Sequence, residues 1–203
     1  MHEGIVIGGL GGQGVLFIGR LLAEAAMLES REVVWLPSYG AEKRGGSVWC
    51  HVTISDERIG ELFVTRPTAA IAMNPASLTK LEPMIKPGGL LVINQSLVSS
   101  RVKRDDLHTV YVPAINMATE LGDDSVANLV ALGALVGSRP IVTMPSLVTA
   151  MDSMLSKSPK LETNKRALDK GYSMFRMERS GRNSDLSEAR NDVVSKTQVR
   201  LVS

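Results

Sequence analysis

The sequence predicts an α/β fold: a Rossmann-like open, mostly parallel sheet with flanking helices and an antiparallel hairpin. Short β-branched, apolar runs alternate with longer stretches of helical periodicity, the pattern of strand–helix–strand units. Several of the short runs are apolar throughout, Ile5-Val6-Ile7 among them, as expected of strands covered on both faces. The first run leads directly into Gly8-Gly9-Leu10-Gly11-Gly12-Gln13-Gly14, a glycine turn of the kind that carries a strand into a helix.

Gly4 to Gly8 forms the first strand, and Leu16 to Met27 places Leu16, Gly19, Leu22, Ala23 and Ala26 along one helical face. Glu32 to Leu36 is the second strand, stopped by Pro37, after which a polar, glycine-containing loop runs from Ser38 to Ser47. Val48 to Ser55 alternates with a period of two, Asp56-Glu57 marks a turn, and Arg58 to Phe63 reads as the return strand of a hairpin. Strands are expected at Ala69 to Met73, Gly89 to Asn94 and His108 to Pro113, with a helical segment from Pro75 to Ile85 between the first two. Helices then follow at about Ile115 to Leu121, Val126 to Val136, Ser146 to Leu155 and Lys160 to Glu178.

The chain has 203 residues and 44% hydrophobic content, enough for one sizeable core. Residues 1–178 read as a single domain. From Arg179 onward serine, asparagine, glycine and scattered charges replace the apolar periodicity, so 179–203 is expected to be an exposed tail or a docking arm. The 23 basic and 21 acidic residues are too balanced to make a nucleic acid or a membrane surface the main partner. No apolar stretch approaches membrane-spanning length and no basic segment precedes an apolar one at the N-terminus, so the sequence reads as cytoplasmic. Cys50 is the single cysteine, which excludes an internal disulfide, an iron–sulfur cluster held by cysteines of this chain and a multi-cysteine zinc site. In a strand it is expected to be a small buried residue and no nucleophile. His51 would face the other side of that strand, and it shares no metal-ligand spacing with His2 or His108.

Two motifs carry chemistry. A glycine turn entering a helix leaves backbone N–H groups facing the turn, where the helix dipole favours phosphate or carboxylate. Gly9, Gly11 and Gly14 match the spacing of a dinucleotide fingerprint, which would make the chain a stand-alone NAD(P)-binding oxidoreductase. That fingerprint also needs an acidic residue at the end of the second strand, and Trp35-Leu36-Pro37-Ser38 offers none before Glu42. The second motif is Ser38-Tyr39-Gly40-Ala41-Glu42-Lys43-Arg44-Gly45-Gly46-Ser47. Arg44 supplies a planar fork for phosphate or carboxylate, Lys43 a mobile charge, and Gly45-Gly46 a backbone that a ligand or a neighbouring subunit can approach. In an open parallel sheet the two loops would converge at the carboxyl edge of the strands, where such folds bind ligands. Asn128 begins an otherwise apolar helix; it is either a satisfied polar residue there or a ligand contact.

GGLGGQG, SYGAEKRGG, VPAINMATELG at 112–122 and NLVALGALVG at 128–137, in this order, resemble the gamma subunit of 2-oxoacid:ferredoxin oxidoreductases over about residues 4–175. The stretch from SYGAEKRGG to SDERIGELFVTRPTAAIAMN resembles the 2-oxoglutarate branch, with pyruvate and ketoisovalerate enzymes behind it. Lys43 stands where the family more often has an apolar residue. The resemblance implies a heteromeric complex that oxidatively decarboxylates a 2-oxoacid to acyl-CoA, inactive as this chain alone. It implies partners: alpha and beta subunits, a ferredoxin-like delta subunit, and ferredoxin as electron acceptor. Thiamine diphosphate, magnesium and the iron–sulfur clusters would lie in the partner subunits, with coenzyme A as cosubstrate. On this chain it implies a coenzyme A site or a subunit interface at Gly9, Gly11, Gly12, Gln13, Gly14, Tyr39, Gly40, Glu42, Arg44, Gly45 and Gly46, with Asn128 and Asn116 orienting loops at the same edge. A purely structural subunit without ligand contact is the remaining alternative.

Overall fold

The computed structural model describes residues 1–40 and 46–175; the expected tail, and the boundary at residue 178, lie outside the described residues. The strands are β1 (His2–Leu10), β2 (Glu32–Tyr39), β3 (Ser47–Ser55), β4 (Ala69–Ala72), β5 (Leu90–Asn94) and β6 (His108–Val112). The helices are α1 (Val15–Leu28), α2 (Pro75–Leu81, extended by a 3-10 turn at Glu82–Met84), α3 (Ala114–Thr119), α4 (Ala127–Ser138), α5 (Met144–Leu155) and α6 (161–175).

The strands form a single mixed sheet in the order β2-β3-β1-β4-β5-β6. β1, β4, β5 and β6 are parallel neighbours, while β3 runs antiparallel to both β1 and β2. β1-α1-β2 is therefore a parallel unit with a strand inserted in its middle.

Two sequence expectations are overturned here. Residues 58–63 form no strand, because both edges of β3 are already occupied by β1 and β2; the hairpin partner of β3 is β2. Pro37 does not stop the second strand, which continues to Tyr39. β2 is an edge strand, so a proline nitrogen on its open side removes no hydrogen bond from the sheet.

The sheet buries both faces at its centre. Ile5, Ile7, Ile71 and Val92 point to one side, against Ile18 and Leu22 of α1, Leu129 and Leu132 of α4, Leu147 of α5 and Leu168 of α6. Val6, Ala70, Leu91 and Ile93 point to the other, against Leu78 and Leu81 of α2. α2 is fixed at its start by Asn74, whose side chain accepts the Ser77 amide at 2.8 Å while the Ser77 hydroxyl accepts the Asn74 amide at 3.1 Å, with Pro75 in the first turn. At the opposite end of the sheet the Arg139 guanidinium donates to Glu3 Oε1 at 2.8 and 3.0 Å, locking the last turn of α4 onto the start of β1.

α4 and α6 touch backbone to backbone. A Cβ on Gly133 would lie 2.1 Å from the Leu168 carbonyl oxygen, and one on Gly171 would lie 2.0 Å from that of Val130. Neither obstacle is a side chain that could rotate away, so a methyl group must push the helices apart. Gly133→Ala and Gly171→Ala are each expected to cost about 1–3 kcal/mol, as overpacking does, read as an earlier midpoint in urea unfolding; a midpoint at or above that of the wild type would contradict this packing.

Candidate functional site

The site begins where β1 ends. The Gln13 amide N–H donates to the Leu10 carbonyl at 3.1 Å, and the Gln13 side-chain Oε1 accepts the Leu10 N–H at 2.8 Å, so residues 10–13 are clasped from both directions. Gln13 Oε1 also accepts from Asn74 Nδ2 at 3.3 Å, which ties the turn to the end of β4. Gly12 adopts φ +93°, a region that favours glycine, and open space lies where its side chain would stand. Gly14 caps α1 in the left-handed conformation (φ 68°, ψ 21°), and a Cβ there would meet Asn128 Nδ2 at 2.1 Å. Gly9 is buried beneath the turn, against Val15 and Met73.

The two glycine motifs meet. The Gly11 N–H donates to the Gly46 carbonyl at 3.0 Å, and the Gly40 N–H donates to the Ser47 carbonyl at 2.6 Å, closing the base of the β2–β3 loop beside the first turn. Tyr39 ends β2 with 67% of its surface exposed. Glu42, Arg44 and Gly45 lie outside the described residues; Gly40 and Gly46, which flank them, fix where that loop leaves and rejoins the sheet. Insertion of β3 keeps β2 parallel to β1, so both loops leave from the carboxyl edge.

Asn128 reaches the same place from α4 and is 5% exposed. Its Nδ2 donates to the Gly14 carbonyl at 3.2 Å and its Oδ1 accepts the Leu129 N–H at 2.9 Å, so both ends of its amide hold the loop and the helix start. Asn116 sits farther along the edge on α3, where its Oδ1 accepts the Ser96 hydroxyl at 2.8 Å. Sequence reasoning missed Asn74. The local signal was an Asn-Pro pair with serine three residues after the asparagine, which marks a helix start; its bond to Gln13 has no local signature.

This arrangement suits an anion. α1 begins on a glycine, with no side-chain cap and no acidic residue in its first turn, so neither its cap nor its own first turn offsets the positive end of the helix dipole. It suits a dinucleotide poorly. β3 places the end of β2 two strand spacings from β1, about 10 Å, and β2 closes with Leu36-Pro37-Ser38-Tyr39, which carries no carboxylate for a ribose.

Cys50 is fully buried on β3, and burial pushes its thiol up to about 12, against a small opposing effect of the Trp35 indole. Burial likewise lowers the His51 imidazole, so this side chain is neutral near pH 7. Among the described residues no group of His, Cys, Asp and Glu side chains is arranged to hold a metal ion, and no helix is long and apolar enough to cross a membrane.

Residues 4–174 match the family model described as pyruvate ferredoxin/flavodoxin oxidoreductase. The chain is 39% identical over 132 residues to the ketoisovalerate oxidoreductase subunit VorA of Methanothermobacter marburgensis, a match that takes in 65% of this chain and 27% of VorA. It thus spans about a quarter of the length of the VorA relatives it matches. It is 34% identical to the 2-oxoglutarate synthase subunit KorC of Methanocaldococcus jannaschii, over 85% of this chain and 93% of KorC. Among solved structures, a keto/oxoacid ferredoxin oxidoreductase gamma subunit from Geobacter sulfurreducens superimposes with a TM-score of 0.73 at 31% identity, covering 85% of this chain and 98% of that one.

The burial of Cys50 has a direct consequence. A thiol reagent at pH 8 is expected to leave the native chain unlabelled and to label it only as it unfolds, at the rate of unfolding; prompt labelling of the folded protein would contradict this placement of β3.

Proposed function

The chain belongs to the pyruvate ferredoxin/flavodoxin oxidoreductase family, and from that membership we propose that it is the gamma subunit of a multisubunit 2-oxoacid:ferredoxin oxidoreductase and forms one wall of the coenzyme A site. The complex converts a 2-oxoacid to its acyl-CoA with loss of carbon dioxide and hands two electrons to ferredoxin. Thiamine diphosphate on the partner chains supplies the decarboxylation chemistry. Alpha and beta subunits and a ferredoxin-like delta subunit carry that cofactor, magnesium and the iron–sulfur clusters, in a cytoplasmic assembly. This agrees with a chain whose one cysteine is buried in a strand.

The observation that carries the reading is the Gly11-to-Gly46 hydrogen bond, which joins the two glycine loops into one surface at the uncapped start of α1. Coenzyme A brings phosphates, and phosphates are what such a surface takes: dipole and free N–H groups from the helix, a planar charged fork from Arg44. The chain itself performs no bond making. It binds and orients the nucleotide end, so that the thiol end is delivered to the partner subunit's chemistry. Gln13, Asn74 and Asn128 hold the loop in place beforehand, which spares the cost of ordering it on binding. The preferred 2-oxoacid is 2-oxoglutarate, supported by the KorC relative, whose length the chain matches almost completely.

The assembled complex provides the test. Arg44→Ala is expected to raise the KM for coenzyme A about 10–100-fold, the worth of a charge-assisted hydrogen bond to phosphate, with subunit composition and the KM for the 2-oxoacid unchanged. An unaltered KM for coenzyme A in an intact complex would make this chain a purely structural subunit.

A further inference from the structure

The second face of the sheet is covered unevenly. α2 lies over β1 and β4 and reaches β3 at Trp49, where the Lys80 ammonium stands 4.3 Å from the centre of the indole ring; farther along the same face of β3 the connection between β3 and β4 brings in Phe63 and Val64. On β2 and β3 Leu36 pairs with His51 and Val34 with Thr53, and Val34, Leu36 and His51 remain partly exposed. The connection adds Phe63, whose ring meets His51 edge-on with centroids 5.8 Å apart. Leu62 and Phe63 project side by side with 60% and 57% of their surfaces exposed. Beneath Phe63 a cleft of about 470 Å³ opens among Thr53, Val64, Arg66 and Lys86. An adjacent leucine and phenylalanine, bared over a half-covered sheet face, are an interaction surface by chemistry. Burial lowers the His51 imidazole and the nearby Lys80 ammonium acts in the same direction; Arg66, Lys86 and Glu61 line the cleft beside Phe63.

The relatives indicate the occupant. In VorA the region matching this chain is 27% of a longer polypeptide, so there a domain of this kind is covalently joined to the rest of that chain. Where the two portions are separate polypeptides, contacts that are intramolecular in VorA become contacts between subunits, and such surfaces stay apolar when the partner is absent. We infer that the face formed by Val34, Leu36, His51, Leu62 and Phe63 is the docking surface for the oxidoreductase subunit that corresponds to the remainder of VorA. This rests on the function proposed above. It places subunit docking on a face of the sheet, away from the carboxyl edge where the glycine loops lie.

The test is co-expression of the full chain with the partner subunits of its own complex, the VorA-like remainder carrying the affinity tag. Wild-type chain is expected to co-purify in stoichiometric amount. Leu62→Asp with Phe63→Asp is expected to weaken association at least about 30-fold, as loss of a central aromatic anchor does. The isolated double variant should keep the wild-type unfolding midpoint, because both side chains are exposed. Co-purification of the double variant at the wild-type level overturns the inference alone. An isolated wild-type chain that is dimeric, and made monomeric by the same substitutions, overturns it in favour of a second copy as occupant. A wild-type chain that joins none of these subunits overturns the proposed function and this inference with it.

Discussion

Everything at the carboxyl edge follows from one arrangement: β3 lies between β1 and β2 and is hydrogen-bonded along its length to both. A strand inserted into a strand–helix–strand unit keeps the outer strands parallel but moves their ends apart, and it brings the residue before its own start, Gly46, against the turn that ends β1. The Gly11-to-Gly46 bond is the contact this produces. The insertion thus turns a nucleotide-type turn into something else. The position where a dinucleotide ribose would find its acidic partner is taken by β3, and Gly46, just before β3, is held against Gly11 of the first turn.

The glycine turn is held rather than free. Gln13 closes it on Leu10, Asn74 pins Gln13 from β4, and Asn128 pins Gly14 from α4, so three separate segments fix one short turn. Each of these asparagines also serves a helix: Asn74 caps α2, and Asn128 accepts the next amide in the first turn of α4. Such dual use makes the turn rigid at little cost in exposed polar groups, and buried amides left half-paired would be expensive. The polar groups of the turn are therefore largely spoken for by the protein. Among the described residues, the helix start has no side-chain cap and the side of Gly12 where a Cβ would stand is open.

Local physics made much of this legible from the sequence. β1 and α1 were expected within a few residues of where they stand, because an apolar β-branched run and a helical face are properties of contiguous residues. The order of the motifs pointed to the family, whereas the contact between the two motifs continues the antiparallel β1–β3 pairing, which the sequence reading did not contain. The hairpin was misassigned for a non-local reason: Arg58 to Phe63 has the composition of a strand, but whether a strand forms depends on a free sheet edge, and β1 and β2 leave none. Pro37 was read as a stop because its cost depends on which strand is at the edge, a fact of topology. The Gln13–Asn74 bond joins residues 61 positions apart and has no signature in either stretch.

In the assembled enzyme the two glycine loops are proposed to act as one surface for coenzyme A. Hydrogen–deuterium exchange of the complex with and without coenzyme A tests it most directly. Peptides covering residues 8–16 and 38–48 are expected to gain protection together and at the same coenzyme A concentration. Saturation of the complex with coenzyme A while both peptides exchange unchanged would contradict it.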